Sequence, residues 1–463
     1  MRKESPDGSV IVYADADLSD LIKRLEAVLY AADSECYETL VFCLETQRGQ
    51  IEKHIRSRFG PLSIIPVPDE DPARQVACLL NEVRSQRVAF LPFGACFNHP
   101  LWRLIPVDRP SIMPWVEYRP LPNRHSQAHP SPTRGWLASV SFLRQLKSTT
   151  PPRGWGLLNI SAHSRQFDQT LVWASPYVTS PDHALPAGNG SGKLNKDSRI
   201  LALVPHYRCE KWLEECVQSL VMQTRPLEGI AVIDDGSQRP PLEILLRFPQ
   251  VTLLASAENV GPYRLVQQVI SSTDYDGYLF QDADDWSTYD RLEILLTEAE
   301  RAGAELIGSQ ELRILYDETD PLPVCYPLDV NAAFRQHPGF PLLHPTSLVS
   351  RDLVQRLGGF ATGLRFGGDT EFLHRAAHVA RIVNVPRYCY FRRFREGALT
   401  TASDTAIGSP ARDALGNQLE EWILENNPYS TRREAHTLKP FAVAQAIHLT
   451  HMSGPRLTND AQD

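Results

Sequence analysis

The sequence predicts an α/β chain with a mostly parallel, Rossmann-like sheet in its C-terminal half and a similar α/β domain before it. Three observations carry this. From residue 199 onward, short apolar runs alternate with segments of helical periodicity, the pattern of a parallel sheet covered on both faces. Acidic clusters follow two of those runs at their carboxyl ends, where such sheets bind ligands. A fainter series of apolar runs lies about 190 residues upstream.

The elements follow in order. In the first half, Ser9–Tyr13, Leu40–Leu44, Leu62–Val67 and the run from Val88 to Phe97 read as strands with helices between them. Pro186–Lys193 is rich in Gly, Ser and Asn and has little to bury, so it reads as a linker. Arg199–Pro205 contains Ile-Leu-Ala-Leu-Val, a buried strand. Lys211–Gln223 places Trp212, Leu213, Cys216, Leu220 and Val221 at helical spacing. Ile230–Ile233, Val251–Ala255 and Tyr278–Gln281 are further strands, with helices over 241–247 and 265–270. Ala411, Leu415, Leu419 and Trp422 begin a C-terminal helix, a second is expected over Leu438–Leu449, and the tail from Ser453 reads as disordered. The expected bounds are 1–185, a linker 186–198, 199–408, helices within 409–452, and the tail 453–463.

Composition narrows the class. With 463 residues the chain is too long for one core, and 42% hydrophobic with 22% charged residues is ordinary for a globular protein. A net charge of −8 argues against a generic nucleic-acid binder. No apolar stretch reaches the length of a membrane span and the N-terminus lacks a hydrophobic leader. The eight cysteines (36, 43, 78, 96, 209, 216, 325, 389) form no CxxC pair and read as reduced core thiols. Together these point to the cytoplasm, with peripheral attachment at the inner face of a membrane left open.

The chemistry concentrates in two places. Tyr278–Gln281 runs into Asp282, Asp284 and Asp285, and like charges so spaced repel one another. A hard divalent cation, held by one or two carboxylates and a substrate's phosphates, removes the conflict. Upstream, Ile230–Ile233 runs into Asp234-Asp235-Gly236-Ser237. Two acidic strand ends in one domain suggest a nucleotide site.

Residues 199–400 resemble the family 2 glycosyltransferases of GT-A fold. Pro205-His206-Tyr207 resembles the family's opening P-x-Y, Asp234–Ser237 its DDGS, Glu258-Asn259-Val260-Gly261 its E-N-x-G turn, and Asp282-Ala283-Asp284-Asp285 its DxD element. Gly358-Gly359-Phe360 followed by Gly368-Asp369-Thr370-Glu371-Phe372 is similar to the stretch that carries the family's catalytic base. The resemblance implies transfer of a sugar from a nucleoside-diphosphate-sugar, with UDP favoured, to an acceptor hydroxyl with inversion. It implies Pro205, Tyr207, Asp234, Asp235, Arg264 and Asp282 around the donor nucleotide, with Asp234 the preferred base contact. It further implies Mn²⁺ or Mg²⁺ on Asp282 and Asp284, and Asp369 as the base, its basicity raised by partial burial near Phe366 and Phe372. His344 and Glu371 would face the acceptor, which the sequence does not identify.

Two departures from the family pattern matter. Gly368 stands where relatives often have Glu, and Arg395 where many have a metal-ligating histidine. Arginine cannot ligate a metal but can clamp phosphate, so Arg392, Arg393 and Arg395 become candidate pyrophosphate contacts. Their more ordinary reading is a solvated basic face.

The first half reads as a diverged, non-catalytic GT-A-like copy, for dimerisation or acceptor recognition. Opposite Asp234 and Asp235 stand Leu44 and Glu45, opposite Asp282 and Asp284 stand Phe93 and Ala95, and Leu158-Asn159-Ile160 lies where a base would be. Ser139–Leu146 loosely matches Leu348–Leu357. An unrelated Rossmann-like domain is the competing reading. Each acid also has an ordinary role: a turn for Asp234–Ser237, a helix cap for one of Asp282–Asp285, and helix ion pairs to His374 and Arg375 for Asp369 and Glu371. A nucleotidyltransferase and a non-catalytic nucleotide-sugar-binding or scaffold protein are the alternative functions.

Overall fold

The computed structural model describes residues 6–14, 18–30, 37–67, 72–91, 105, 107–108, 110–115, 135–145, 172–173, 185, 192–316, 321–336, 340–402, 405–406, 408–425 and 439–457. They belong to two compact units, Met1–Ser180 with Asp317–Val324, and Pro181–Tyr316 with Cys325–Asp463. Among the described residues the strands run β1 (Gly8–Tyr13), β2 (Tyr37–Leu44), β3 (Ser63–Val67), β4 (Arg87–Leu91), β5 (Ser111–Trp115), β6 (Gly135–Ser139), β7 (Val172–Trp173), β8 (Ile200–His206), β9 (Gly229–Asp234), β10 (Thr252–Ser256), β11 (Gly277–Phe280), β12 (Trp286–Ser287), β13 (Leu306–Leu315), β14 (Leu322–Val324), β15 (Leu348–Ser350), β16 (Ile382–Phe394) and β17 (Leu449–Ser453).

The first unit holds a sheet of order β3-β2-β1-β4-β6-β5-β7. Its β1, β2, β3 and β4 pair in parallel, β6 runs antiparallel to β4 and β5, and β5 is parallel to β7. Val10, Ile11, Val12, Val41, Phe42, Val88 and Ala89 are buried along its centre, and Phe90 stacks on Trp136 with centroids 5.2 Å apart. Phe93, Ala95 and Leu158–Ile160 lie outside the described residues.

The second unit holds a sheet of order β12-β16-β13-β15-β11-β8-β9-β10-β17. Strands β8, β9, β10 and β11 are parallel, β15 is antiparallel to β11 and β13, and β13 is parallel to β16. The strand β8 shows why its sequence is continuously apolar. Ile200, Ala202 and Val204 face one core with the helices Glu210–Val221 and Arg291–Ala302. Leu201 and Leu203 face the other, with the helices Pro262–Ser272 and Gly368–Ala377. A strand covered on both sides has no polar face to alternate with.

The C-terminus departs from expectation. A helix spans Pro410–Glu425, but the helix expected over Leu438–Leu449 is replaced by a non-helical segment over 439–448 that leads into β17, antiparallel to β10. Pro440 has no N–H and is disfavoured within a helix. The segment's backbone instead finds partners across the domain. Phe441 N donates to Glu371 Oε1 (2.8 Å), Gly363 N to Ala442 O (3.0 Å) and Ala444 N to Thr362 Oγ1 (2.9 Å). Nor does disorder begin at Ser453: that residue closes β17, Thr252 Oγ1 donates to Pro455 O (2.6 Å), and Leu457 packs against the core.

No disulfide joins the described cysteines; Cys43, Cys209, Cys216 and Cys389 are buried as expected of core thiols, whereas Cys325 is exposed. Among the described residues no helix is long and apolar enough to cross a membrane.

Candidate active site

The chain leaves β8 for β9 and β10 on one side and returns to β11 on the other, so the carboxyl ends of β8 and β11 form the topological switch point beyond which such sheets bind ligands. The acidic turns of the sequence border it. Asp234, the last residue of β9, is wholly buried. Its Oδ1 accepts from His206 Nδ1 (2.8 Å) and its Oδ2 from Ser237 N (2.9 Å). Cys209 N donates to His206 Nε2 (3.2 Å), which leaves the ring proton on Nδ1 to point at Asp234. The expected nucleobase contact by Asp234 is therefore corrected: its carboxylate is enclosed and fixes the ends of β8 and β9.

Asp235 is 5% exposed and accepts from Val260 N (2.7 Å) and Gly261 N (2.9 Å), while burial raises its pKa. It thereby clamps the Glu258–Gly261 turn. Gly236 has φ +70°, and a Cβ there would lie 2.5 Å from the Glu258 carbonyl carbon, so these two turns meet backbone to backbone. Pro205 is half-buried and Tyr207, 40% exposed, directly follows β8 with the Arg208 guanidinium 4.9 Å from its ring centroid. Arg264 faces elsewhere: its Nε donates to Gln445 O (2.8 Å), holding the C-terminal segment and not a donor. Arg365, which the sequence did not single out, lies against Gly261 and its charge acts on Asp235.

Past β11, Asp282, Asp284 and Asp285 present carboxylate oxygens within 4.8 Å of one another. This is an all-oxygen set suited to a hard cation. The Asp282 side chain reaches solvent, yet the protein crowded around it and the Asp284 charge raise its pKa to about 7, against the opposing charge of Arg392. Its backbone N donates to Tyr390 Oη (3.0 Å). Asp285 is buried and accepts from Arg393 N (2.6 Å); burial and its two acidic neighbours push its pKa well up. Asp284 Oδ2 accepts from Arg395 Nε (2.6 Å), and Arg395 Nη2 also reaches Cys209 Sγ (3.0 Å) while stacking 4.6 Å above Trp212.

The three arginines thus differ. Arg393 is buried, donates Nη1 to Asp284 O (2.6 Å), pairs with Glu215 and lies 4.3 Å over Trp286, so neither a pyrophosphate contact nor a solvated face describes it. Burial opposes the charge of Arg392, but Glu311 3.7 Å away, Asp285 and Asp282 hold it. Arg395 keeps its place beside the acidic cluster.

Asp369 lies in the first turn of the helix Gly368–Ala377, half-buried, with Oδ1 accepting from Tyr263 Oη (2.9 Å). Its charge reaches Asp282. The expectation for Glu371 is corrected: it is fully buried in a two-bond pair with Arg375 (Nε–Oε1 2.8 Å, Nη2–Oε2 2.7 Å), facing the core and not an acceptor. His344 does line a small apolar cleft with Asp369, Phe340, Leu342 and Phe372. Arg291, buried and missed in the sequence, holds that wall by donating to Phe280 O and Pro345 O (both 2.9 Å). A cation in a helix's first turn reads as solvated until its partners are seen.

Although an edge of the imidazole is open, burial against Phe280 (centroids 4.1 Å apart) lowers the His344 pKa from 6.5 to about 4, opposed by the Asp369 charge. Protonation therefore favours the unfolded chain: this group's contribution to stability is complete above pH 6.5 and is lost as pH falls toward 4. Denaturant melts of His344→Phe should lose stability less steeply than the parent over that window; parallel profiles would show that His344 does not titrate there.

With this geometry in view, residues 202–323 match the sequence model of "Glycosyl transferase family 2". Over 102 residues the chain is 30% identical to Glycosyltransferase GlyA of Streptococcus pneumoniae serotype 4, an alignment covering 21% of this chain and 15% of that protein. Among solved structures, S. aureus TarS 1–349 in complex with UDP-GlcNAc aligns with TM-score 0.38 at 20% identity, over 43% of this chain and 59% of that one. Mannosyltransferase PcManGT from Pyrobaculum calidifontis, in complex with GDP-Man and Mn²⁺, aligns with TM-score 0.35 at 16% identity, over 48% and 61%. The chain spans less than two thirds of each of these proteins. Within it, the likeness to glycosyl transferase family 2 lies in residues 202–323, from β8 past the Asp282–Asp285 cluster.

Proposed function

We propose that the second unit transfers a sugar from a nucleoside-diphosphate-sugar, a UDP-sugar in the first instance, to an acceptor hydroxyl with inversion. The observation that carries this is the converging Asp282, Asp284 and Asp285 carboxylates inside the family-matched segment. Asp282 and Asp284 would hold Mn²⁺ or Mg²⁺, and their remaining oxygens fit such an ion; Asp284 gives one oxygen to Arg395 and Asp285 one to Arg393 N. When bound, the ion would offset charge on the departing nucleoside diphosphate. Arg395, beside Asp284, and Arg392, whose charge acts on Asp282, would share that neutralisation.

Asp369 would accept the acceptor's proton as its oxygen bonds to the anomeric carbon and the bond from that carbon to the diphosphate breaks. Asp235 and Asp234 shape the nucleotide side by fixing its backbone, leaving Pro205, Tyr207 and the Glu258–Gly261 turn to face the donor. The apolar cleft at His344 and Phe340 supports an acceptor on that side.

The first unit we read as a second copy without the chemistry. Its order β3-β2-β1-β4-β6-β5-β7 and strand directions parallel β10-β9-β8-β11-β15-β13-β16. The likeness extends to a cap: Phe142 N donates to Ser139 Oγ after β6 as Leu353 N does to Ser350 Oγ after β15, both at 3.2 Å. Leu44 ends β2 and Glu45 follows it, where Asp234 ends β9 and Asp235 follows, so the acidic pair is missing there, which supports a role in acceptor recognition or self-association.

The test is a hydrolysis screen of UDP-GlcNAc, UDP-glucose, UDP-galactose and GDP-mannose with Mn²⁺ or Mg²⁺, paired with thermal melts in UDP and Mn²⁺. UDP at a hundredfold excess over its Kd should stabilise the parent by about 2.7 kcal/mol. Asp284→Ala should lose the metal-dependent part of that gain. A parent that hydrolyses no donor and gains nothing from UDP and Mn²⁺ would be a scaffold.

A further inference from the structure

This inference rests on Asp369 as the base. We propose that Tyr263 is the positioning residue for that carboxylate, and that residue 368 is glycine because the tyrosine ring lies against its backbone. Tyr263 is 8% exposed and donates its phenol proton to Asp369 Oδ1 (2.9 Å). Its ring is stacked with Phe360 at 16° and 6.4 Å between centroids. A Cβ at position 368 would meet that ring at 2.8 Å from Cδ2, 3.0 Å from Cγ and 3.1 Å from Cε2. Gly368 has no left-handed φ, so space and not backbone conformation excludes a side chain.

The consequences for the base are specific. An ionised carboxylate only accepts, so the phenol fixes Oδ1 and leaves Oδ2 for the acceptor's proton. Burial, with the Asp369 charge beside it, pushes the phenol's own ionisation well up, so it stays a donor. Tyr263 lies two residues beyond Gly261, whose N–H binds Asp235, so one helix start carries both the nucleotide-side turn and the base's partner. The order of the nucleotide pocket is thereby tied to the aim of the carboxylate.

Tyr263→Phe keeps the ring and removes the donor. With the best donor of the screen above, it should lower kcat about tenfold with donor KM unchanged, the size of one lost orienting hydrogen bond. In an Asp369→Asn background it should cost no further turnover, whereas a merely structural tyrosine would give additive losses. Gly368→Ala, which moves the ring and alters neither polar group, should reproduce the kcat defect. Turnover in Tyr263→Phe within about twofold of the parent, or additive losses, would overturn the inference while Asp369→Asn still tests the base. A parent inactive with every donor overturns the base assignment and this inference together.

Discussion

Asp369→Asn is expected to abolish transfer while leaving nucleotide-sugar binding and stability close to the parent. Asparagine keeps the side chain's shape and offers an oxygen to Tyr263 Oη, so the hydrogen bond that orients position 369 survives. What it removes is the proton acceptor, and a positioned general base contributes about 10²–10⁴-fold to rate. Turnover should fall by that factor with donor KM unchanged, because the donor's expected contacts lie at Tyr207, the Glu258–Gly261 turn and the Asp282–Asp284 cluster. The substitution separates the two poles of the site, since Asp284→Ala should strike binding first. Asp369 lies beyond the family-matched residues 202–323, so this experiment tests the part of the mechanism on which that match is silent. Turnover within about threefold of the parent would mean that another group takes the proton.

The sheet of the second unit was legible because its physics is local. A strand such as β8, buried on both faces, must be apolar throughout, and carboxylates at a strand's end are costly enough to stand out. Asp282 and Asp284 were legible for that reason, and the structure brings them together with Asp285. Direction of side chains was not legible. The family resemblance put Arg264 around the donor nucleotide and Arg393 at the pyrophosphate, yet their long side chains follow tertiary partners, Gln445 O in one case and Asp284 O with Glu215 in the other. Asp234 and Asp235 stand at the end of β9 where the sequence put them, but their carboxylates turn inward to backbone and imidazole donors, the ordinary role of aspartate at a turn. The segment before β17 carried apolar residues at a spacing that mimics a helix; Pro440 and partners 70 and 82 residues away in the chain decided otherwise. Tyr263 gave no motif signal, since its partner lies 106 residues on.

Glu371→Gln should be the most destabilising single change in this region, although it alters no shape. Glu371 and Arg375 are 0% and 1% exposed, one helical turn apart, and joined by two hydrogen bonds. Arg375 also donates to Leu357 O (2.6 Å) and Gly359 O (2.8 Å), and Glu371 Oε1 accepts Phe441 N, so the pair ties the helix that carries Asp369 to the Gly358-Gly359 turn and to the C-terminal segment. Neutralising the carboxylate removes the charge that two hydrogen bonds hold against the buried guanidinium, and breaking such a pair costs about 3–5 kcal/mol. Removing both charges as Glu371→Leu with Arg375→Met should cost less than Glu371→Gln alone, because the desolvation of each ion disappears with it. The double change still orphans the Leu357 and Gly359 carbonyls, so some loss persists. Denaturant melts of the three proteins decide the matter. A Glu371→Gln protein as stable as the parent but with a raised acceptor KM would restore the acceptor-facing role that burial at the helix core now denies it.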